Sequence, residues 1–381
     1  MITPDDSERQ RRDPGPYVRW LAQLGLEDRF AAGGKSARLG ELIRRGFRVP
    51  VGFVLTAAAY ERFVDEGGLR GRIDTAAEHT GAGEVAAVER ASRTIRELME
   101  EAPIPDEIER AVRAAYGQLT RECGDGDEVP PMAVRSSATE EDGEVASFAG
   151  LQDTSLWVRG AEDILRHVRL CWASLYTPEA IAYRARIEAA EGRRVAASMA
   201  VLVQQMVDAT VAGVMLTVSP ASGDRSIIAI NASWGLGIGV VSGAVTPDEY
   251  WIDKVGMQVI ERRLAPKAVQ FTPGGTASGV RRGEVPAGQQ RELCLGDEEV
   301  LELSRLGRRV EQIHGAPQDI EWAIDRALPF PDNVFLLQSR PDTVWSKKAA
   351  RTPALRPAAS PVDYVLDAML AGTGGRPPGT K

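Results

Sequence analysis

The sequence predicts an α+β protein of two lobes, the second built on a mostly antiparallel sheet. A long stretch from Gly67 to Gly126 is highly charged and has helical periodicity. From residue 196 onward the character changes, and Met199 to Gln205, Val211 to Val218 and Ser226 to Asn231 follow one another as β-branched-rich runs. Further on, Asp319-Ile320-Glu321-Trp322-Ala323-Ile324-Asp325 alternates strictly. A strand there puts Asp319, Glu321 and Asp325 on one face and Ile320, Trp322 and Ile324 on the other.

Composition bounds the rest. At 381 residues and 43% hydrophobic content the chain can bury a sizeable core, and its length suits two or three lobes. A net charge of -8 without a sustained Lys/Arg stripe argues against nucleic acid as the principal partner. Cys123, Cys171 and Cys294 are isolated and lack CxxC spacing, so neither a disulfide framework nor a zinc site is signalled, and a reducing cytoplasm fits best. Met1 to Pro16 is polar, without the apolar region of a signal peptide, and no apolar run is long enough to cross a bilayer.

In chain order, residues 1–16 read as a flexible tail and the first lobe spans 17–195. Gly33-Gly34-Lys35-Ser36 leads into a helix-like run to Arg45. A glycine pair at a helix start can bring backbone amides and a lysine to a phosphate. A P-loop needs a further glycine where Arg29 stands, so the alternatives are a phosphate-facing turn of another kind or a tight turn with a surface lysine. Val49 to Leu55 reads as a strand and Thr56 as the cap of the next helix. Val85 to Met99 and Ile108 to Leu119 are the clearest amphipathic helices. Pro130 to Arg135 reads as a strand, followed by a polar loop, 136–150, that suits either a lid over phosphates or a plain surface connection. Gln152 to Val158 is the return strand, and two helices follow it.

The second lobe is expected over 196–346, with the boundary near Gly192-Arg193-Arg194. Ser233-Trp234-Gly235-Leu236-Gly237-Ile238-Gly239 lacks the G-x-G-x-x-G spacing of a dinucleotide fingerprint, and Thr246 to Asp253 continues as a strand. Val259 to Gln289 reads as irregular. Asp297 is expected to cap a helix that ends at His314, stopped by Gly315 and packed under the 319–340 hairpin. Residues 347–381 form a Pro/Gly/Ala-rich tail with a possible short helix at 362–370.

The hairpin carries the chemistry. After a turn, Val334-Phe335-Leu336-Leu337-Gln338-Ser339-Arg340-Pro341 places Gln338 and Arg340 on one face, so pairing brings carboxylates and a guanidinium together. Mg²⁺ prefers one or two carboxylates plus phosphate oxygens, and arginine neutralises charge on a transferred phosphoryl group. The alternative is a half-exposed hairpin with a solvated acidic edge.

Taken in order, several segments resemble the ATP-binding domain of the phosphoenolpyruvate synthase and pyruvate phosphate dikinase family. They are Gly33-Gly34-Lys35, Val49-Pro50-Val51-Gly52-Phe53, Val134-Arg135-Ser136-Ser137-Ala138-Thr139-Glu140-Glu141-Asp142, Ser147-Phe148-Ala149-Gly150, Trp234-Gly235-Leu236-Gly237, Val245-Thr246-Pro247-Asp248, Gln318 to Trp322 and Leu337 to Pro341. The resemblance covers about residues 30 to 345. It implies an ATP-grasp-like fold with two lobes around a nucleotide cleft. The implied reaction is that of a dikinase, in which the β,γ-diphosphate of ATP passes to a histidine, AMP leaves, and an acceptor is phosphorylated.

Carried over residue by residue, the resemblance implies that Lys35 contacts the phosphates and Arg135 the β/γ region. Ser137 and Thr139 belong to the nucleotide-binding set and to the lid. Asp319 and Glu321 hold Mg²⁺ and the nucleotide, Gln338 and Arg340 complete the phosphate end, and Gln204, Gln205 and Met206 match the segment that holds adenine. The chain departs from the family pattern at Ile238, Ser36 and Arg38. His79, His167 and His314 are not in the setting of a carrier histidine, so the histidine and acceptor-binding domain are expected on a partner subunit, as in phenylphosphate synthase or a split phosphoenolpyruvate synthase. The alternative is a nucleotide-binding regulatory module without turnover.

Overall fold

In the computed structural model, residues 15–77, 85–123, 129–138, 154–192, 197–274, 279–342 and 345 are described. Residues 1–14 of the expected N-terminal tail, the loop from Thr139 to Gly150, and the C-terminal tail with its 362–370 segment lie outside them.

Among the described residues the named strands all pair antiparallel, and one isolated parallel bridge joins Gly235 to Phe271. The first sheet has the order β1-β2-β5-β3-β4, from β1 (Val18–Trp20), β2 (Gly52–Leu55), β3 (Met132–Ala138), β4 (Thr154–Val158) and β5 (Met199–Gln205). Next in sequence come β6 (Ala209–Leu216), β7 (Ile227–Trp234), β8 (Asp248–Asp253), β9 (Gln258–Arg263), β10 (Val269–Pro273), β11 (Val280–Glu284), β12 (Gln318–Asp325) and β13 (Val334–Pro341). Of these, β10 and β11 pair as a separate hairpin, and the other six form a second sheet ordered β13-β12-β6-β7-β8-β9. The helices are α1 (Arg29–Ala32), α2 (Gly34–Arg44), α3 (Ala57–Glu66), α4 (Leu69–Ala77), α5 (Val85–Glu101), α6 (Asp106–Cys123), α7 (Ala161–Ala173), α8 (Pro178–Glu191), α9 (Ile238–Val241) and α10 (Asp297–His314). Helices and antiparallel sheets together make the α+β class that the sequence predicts.

Two apolar cores follow from these patterns. Met132, Val134, Val201 and Val203 of the first sheet pack with Ile95, Ile108, Val168 and Trp172 from α5, α6 and α7. Phe63 of α3 stacks on Trp172 with ring centroids 4.8 Å apart. The second core joins Val54 and Leu202 to Leu39 and Leu42 of α2, Trp322 and Ile320 of β12, and Val300 and Leu303 of α10. Strand β5 is buried on both faces because successive side chains serve the two cores in turn.

The structure moves several expected boundaries. The β-branched run 199–205 was expected to open the second lobe, yet β5 is paired with both β2 and β3 in the first sheet. The change of sheet falls between Gln205 and Ala209. A β-rich run specifies a strand, but its partner depends on contacts distant in sequence. Val259 to Gln289 holds three strands rather than irregular chain. There β9 is exposed along most of its length, so it has no apolar alternation to read. Thr56 occupies the N-cap position of α3, but its hydroxyl donates to Pro16 O at 2.8 Å. Gly296, not Asp297, is the N-cap of α10, and its N–H donates to Glu299 Oε2 at 2.8 Å. Gly315 stops that helix in the left-handed region at φ 67°.

Candidate functional site

The register of the β12–β13 hairpin sets the site. Asp319 lies opposite Arg340 and Glu321 opposite Gln338, after which a bulge shifts the pairing so that Trp322 lies opposite Leu336. Leu337 is left as the extra residue of β13. On β12 the face that carries Asp319 and Glu321 is half-buried, while Ile320 and Trp322 on the other face are fully buried. Arg340 donates to Asp319 Oδ2 from Nε at 2.8 Å, with Nη2 at 2.7 Å, and keeps half of its side chain exposed.

Arg135 reaches this hairpin from the first sheet. Val134 on one side of it is core, so strand alternation turns Arg135 to the opposite face. Its Nη2 donates to Glu321 Oε2 at 2.8 Å and to Gln338 Oε1 at 2.7 Å, and its Nη1 donates to Leu337 O at 3.1 Å. One guanidinium thus binds three acceptors on the two strands of the hairpin. The side chains of Arg135 and Glu321 are 13% and 22% exposed, so the pair is sheltered but reachable from solvent.

Ser137, two residues further along β3, meets the glycine turn. Ser36 N and Ser36 Oγ lie 3.2 and 3.1 Å from Ser137 Oγ, and Lys35 Nζ donates to Ser136 O at 3.3 Å. Gly33 has φ 77°, and a Cβ placed on it would lie 2.1 Å from Ser137 O. Only glycine fits that approach. Helix α2, which begins at this turn, packs against both β3 and β13. The turn and the hairpin therefore meet around β3.

Beyond Glu321 the same face of β12 becomes apolar. Ala323 belongs to a cluster with Val207, Ala209, Ala212 and Leu236, flanked by the half-buried Met206, Phe271, Phe335 and Leu337. Gln205 N donates to Val51 O at 2.8 Å and Met206 N to Pro131 O at 2.9 Å, which fixes the end of β5 beside this cluster. The Gln204 side chain is 2% exposed and donates to Pro50 O at 3.1 Å, so it braces the first sheet.

Of the residues expected from sequence, Arg135, Glu321, Gln338, Asp319 and Arg340 come together through one bonded hairpin. Lys35 and Ser137 sit at the neighbouring turn, Gln205 and Met206 at the apolar end, Gln204 faces away into the first sheet, and Thr139 lies outside the described residues. Sequence reasoning missed the Leu337 carbonyl, which depends on a bulge that leaves no residue-type signal. It also missed Ser36 as a partner of Ser137, and the apolar end around Leu236 and Phe271. Gly235, with φ 77° and Phe271 O 2.4 Å from an added Cβ, was the available signal for that close approach.

His167 adjoins Arg166, and His314 lies by Arg38, Glu41 and Arg45. Burial, with the adjacent arginines second, lowers the pKa of both imidazoles. Among the described residues no group of three or more His, Cys, Asp or Glu side chains could hold a metal by itself. Asp319 and Glu321, two residues apart on one face, fit a cation that takes its remaining ligands from phosphate and water. No helix among the described residues is long and apolar enough to cross a membrane.

Comparison with known proteins places the chain in a family. Residues 30–357 match the family described as pyruvate phosphate dikinase, AMP/ATP-binding domain. The chain is 41% identical over 338 residues to a probable phosphoenolpyruvate synthase of Methanothermobacter thermautotrophicus, covering 88% of this chain and 47% of that protein. It is 39% identical to a phosphoenolpyruvate synthase of Aeropyrum pernix, covering 89% of this chain and 44% of the relative. For a phosphoenolpyruvate synthase of Aquifex aeolicus the identity is 37%, covering 87% and 40%. The chain belongs to the pyruvate phosphate dikinase AMP/ATP-binding domain family. It spans less than half the length of these relatives.

Proposed function

We propose that this chain binds Mg-ATP at the junction of the two sheets, in an ATP-grasp-like arrangement, and transfers the β,γ-diphosphate to a histidine with release of AMP. The observation that carries the proposal is Arg135, which joins β3 to both strands of the hairpin through Glu321, Gln338 and the Leu337 carbonyl, beside the glycine turn. Lys35 and Arg340 add positive charge on either side. Their roles are to offset phosphate charge and to hold the transferred group in line with the nucleophile. Gln338 orients the Arg135 guanidinium. Asp319 and Glu321 would hold Mg²⁺, which when bound neutralises the phosphates and polarises the transferred group. Gln205 and Met206 stand at the base end, with Gln204 supporting them, and Ser137 at the phosphate end; Ser136 to Ala138, expected to open a lid, instead continue strand β3, and Thr139 with the rest of the expected lid lies outside the described residues.

The acceptor histidine is assigned to a separate polypeptide that also binds the small-molecule substrate, as in a phenylphosphate synthase or a split phosphoenolpyruvate synthase. Supporting this, His167 and His314 lie among other partners on helices, and neither belongs to the bonded group around Arg135. The test is to incubate the chain with β-labelled and γ-labelled ATP, with and without co-purifying proteins. Acid-labile, base-stable label on the partner, with AMP as product, is expected. Stoichiometric label on a histidine of this chain would overturn the separate acceptor. Product ADP would indicate an ordinary kinase, and binding without turnover in the reconstituted mixture would indicate a regulatory module.

A further inference from the structure

The geometry points to Trp157 as the residue that selects the nucleotide base, its indole forming one wall of the base site and its Nε1–H donating to the base. The assignment rests on the Mg-ATP reading above. Strand β4 carries an extra residue against β3: Met132 lies opposite Val158 and Val134 opposite Ser155, so Leu156 and Trp157 together oppose Ala133. This bulge places the adjacent side chains in different clusters. Val158 packs into the helical core, whereas Trp157 joins Ala212 and Ala323 of the second sheet.

Its backbone has φ 61°, one of two positive-φ residues other than glycine among the described residues. A bulky side chain rarely adopts this conformation, which persists only where its surroundings enforce it. The bond from Gly279 N to Trp157 O, 3.0 Å long, ties this position to the β10–β11 hairpin. That hairpin also supplies Phe271 to the cluster.

Two observations tie the strained residue to a ligand. Trp157 is 5% exposed, yet its Nε1 is buried without a hydrogen-bond partner among the described residues. A buried donor left unpaired is costly, and an acceptor nitrogen of a base would remove that cost. The indole also shares its cluster with Ala323, which follows Glu321 by two residues on the same face, a rise of about 7 Å along an extended strand. An apolar wall built partly from alanines thus continues directly from the charged end. An in-plane ring donor set in an apolar wall beside a phosphate-binding end is the chemistry that recognises a nucleotide through its base.

The test compares wild type, Trp157→Phe and Trp157→Ala for calorimetric binding of Mg-ATP and of magnesium tripolyphosphate, which has the phosphates without the base. Trp157→Ala is expected to weaken Mg-ATP binding about ten-fold or more, and Trp157→Phe a few-fold by loss of the donor alone. Tripolyphosphate binding should be unchanged in both. Because Trp157→Ala could fail to fold, Trp157→Phe carries a second readout: the change in tryptophan fluorescence on adding ATP should be largely lost in it. Wild-type ATP affinity in a folded Trp157→Ala, or an undiminished fluorescence change in Trp157→Phe, overturns the assignment while leaving Mg-ATP binding in place. Failure of wild type to bind either ligand overturns both.

Discussion

Two ion pairs in this molecule are chemically alike and physically opposite. Lys267 and Asp248 are both 0% exposed. Asp248 Oδ1 accepts from Lys267 Nζ at 2.5 Å and from Ala265 N at 2.9 Å, and its Oδ2 accepts from Cys294 N at 2.9 Å. Lys267 also donates to Ala265 O at 3.0 Å. Such a pair is fully enclosed and holds the chain between β9 and α10 against β8. Burial, with Asp248 next, pushes the Cys294 thiol well above its ordinary range, so it stays protonated in the same network. The Arg135–Glu321 pair is bonded just as closely but remains partly open to solvent, and it joins groups from different sheets. An enclosed pair supports the fold, whereas a sheltered pair at a junction can exchange one partner for a ligand.

The largest expected effect breaks the enclosed pair. Lys267→Met leaves Asp248 buried and uncompensated, and should cost about 3–5 kcal/mol in denaturant unfolding. Lys267→Met combined with Asp248→Leu should recover much of that loss, since replacing both charges removes the desolvation penalty. At the junction the effect should fall on chemistry. Arg135→Ala is expected to slow phosphoryl transfer by about a hundred-fold or more in the reconstituted system, and Arg340→Ala to impair it too. A loss confined to ATP affinity would make them ground-state binders. Gly33→Ala should disturb both, because the added methyl meets the Ser137 carbonyl. Reduced ATP affinity together with a lowered melting temperature is the expected result.

The smallest effect concerns pH. His167 and His314 have pKa values lowered in the folded state, so below about pH 6.5 the unfolded chain binds more protons than the folded one. Stability should therefore rise with pH through that window and be lost as pH falls through the folded values. His167→Gln with His314→Gln should flatten this part of the stability profile, and an unchanged slope would show that other groups govern it.

The contrast between the two pairs also explains what the sequence made legible. Strict alternation exposed the β12 face, and the spacing of Gln338 and Arg340 exposed β13, because both signals are local. Asp248 was noticed only within a motif, and its partner Lys267 lay in a stretch read as irregular. Nothing local tells a lysine that will be enclosed from one that will be solvated. The same limit put β5 at the start of the second lobe, since strand character is local and sheet membership is not. Trp157 gave no signal either, because its position depends on a bulge set by pairing with β3.

The central claim is that the Arg135–Glu321 junction is a Mg-ATP site, and the most direct measurement is the melting temperature of wild type and Glu321→Gln with and without millimolar Mg-ATP. Ligand bound only by the folded state raises stability by mass action. Wild type should show a clear rise, and Glu321→Gln should melt near the wild-type temperature without ligand and lose most of the metal-dependent rise with it. No shift in wild type, or a full shift in Glu321→Gln, would contradict the account.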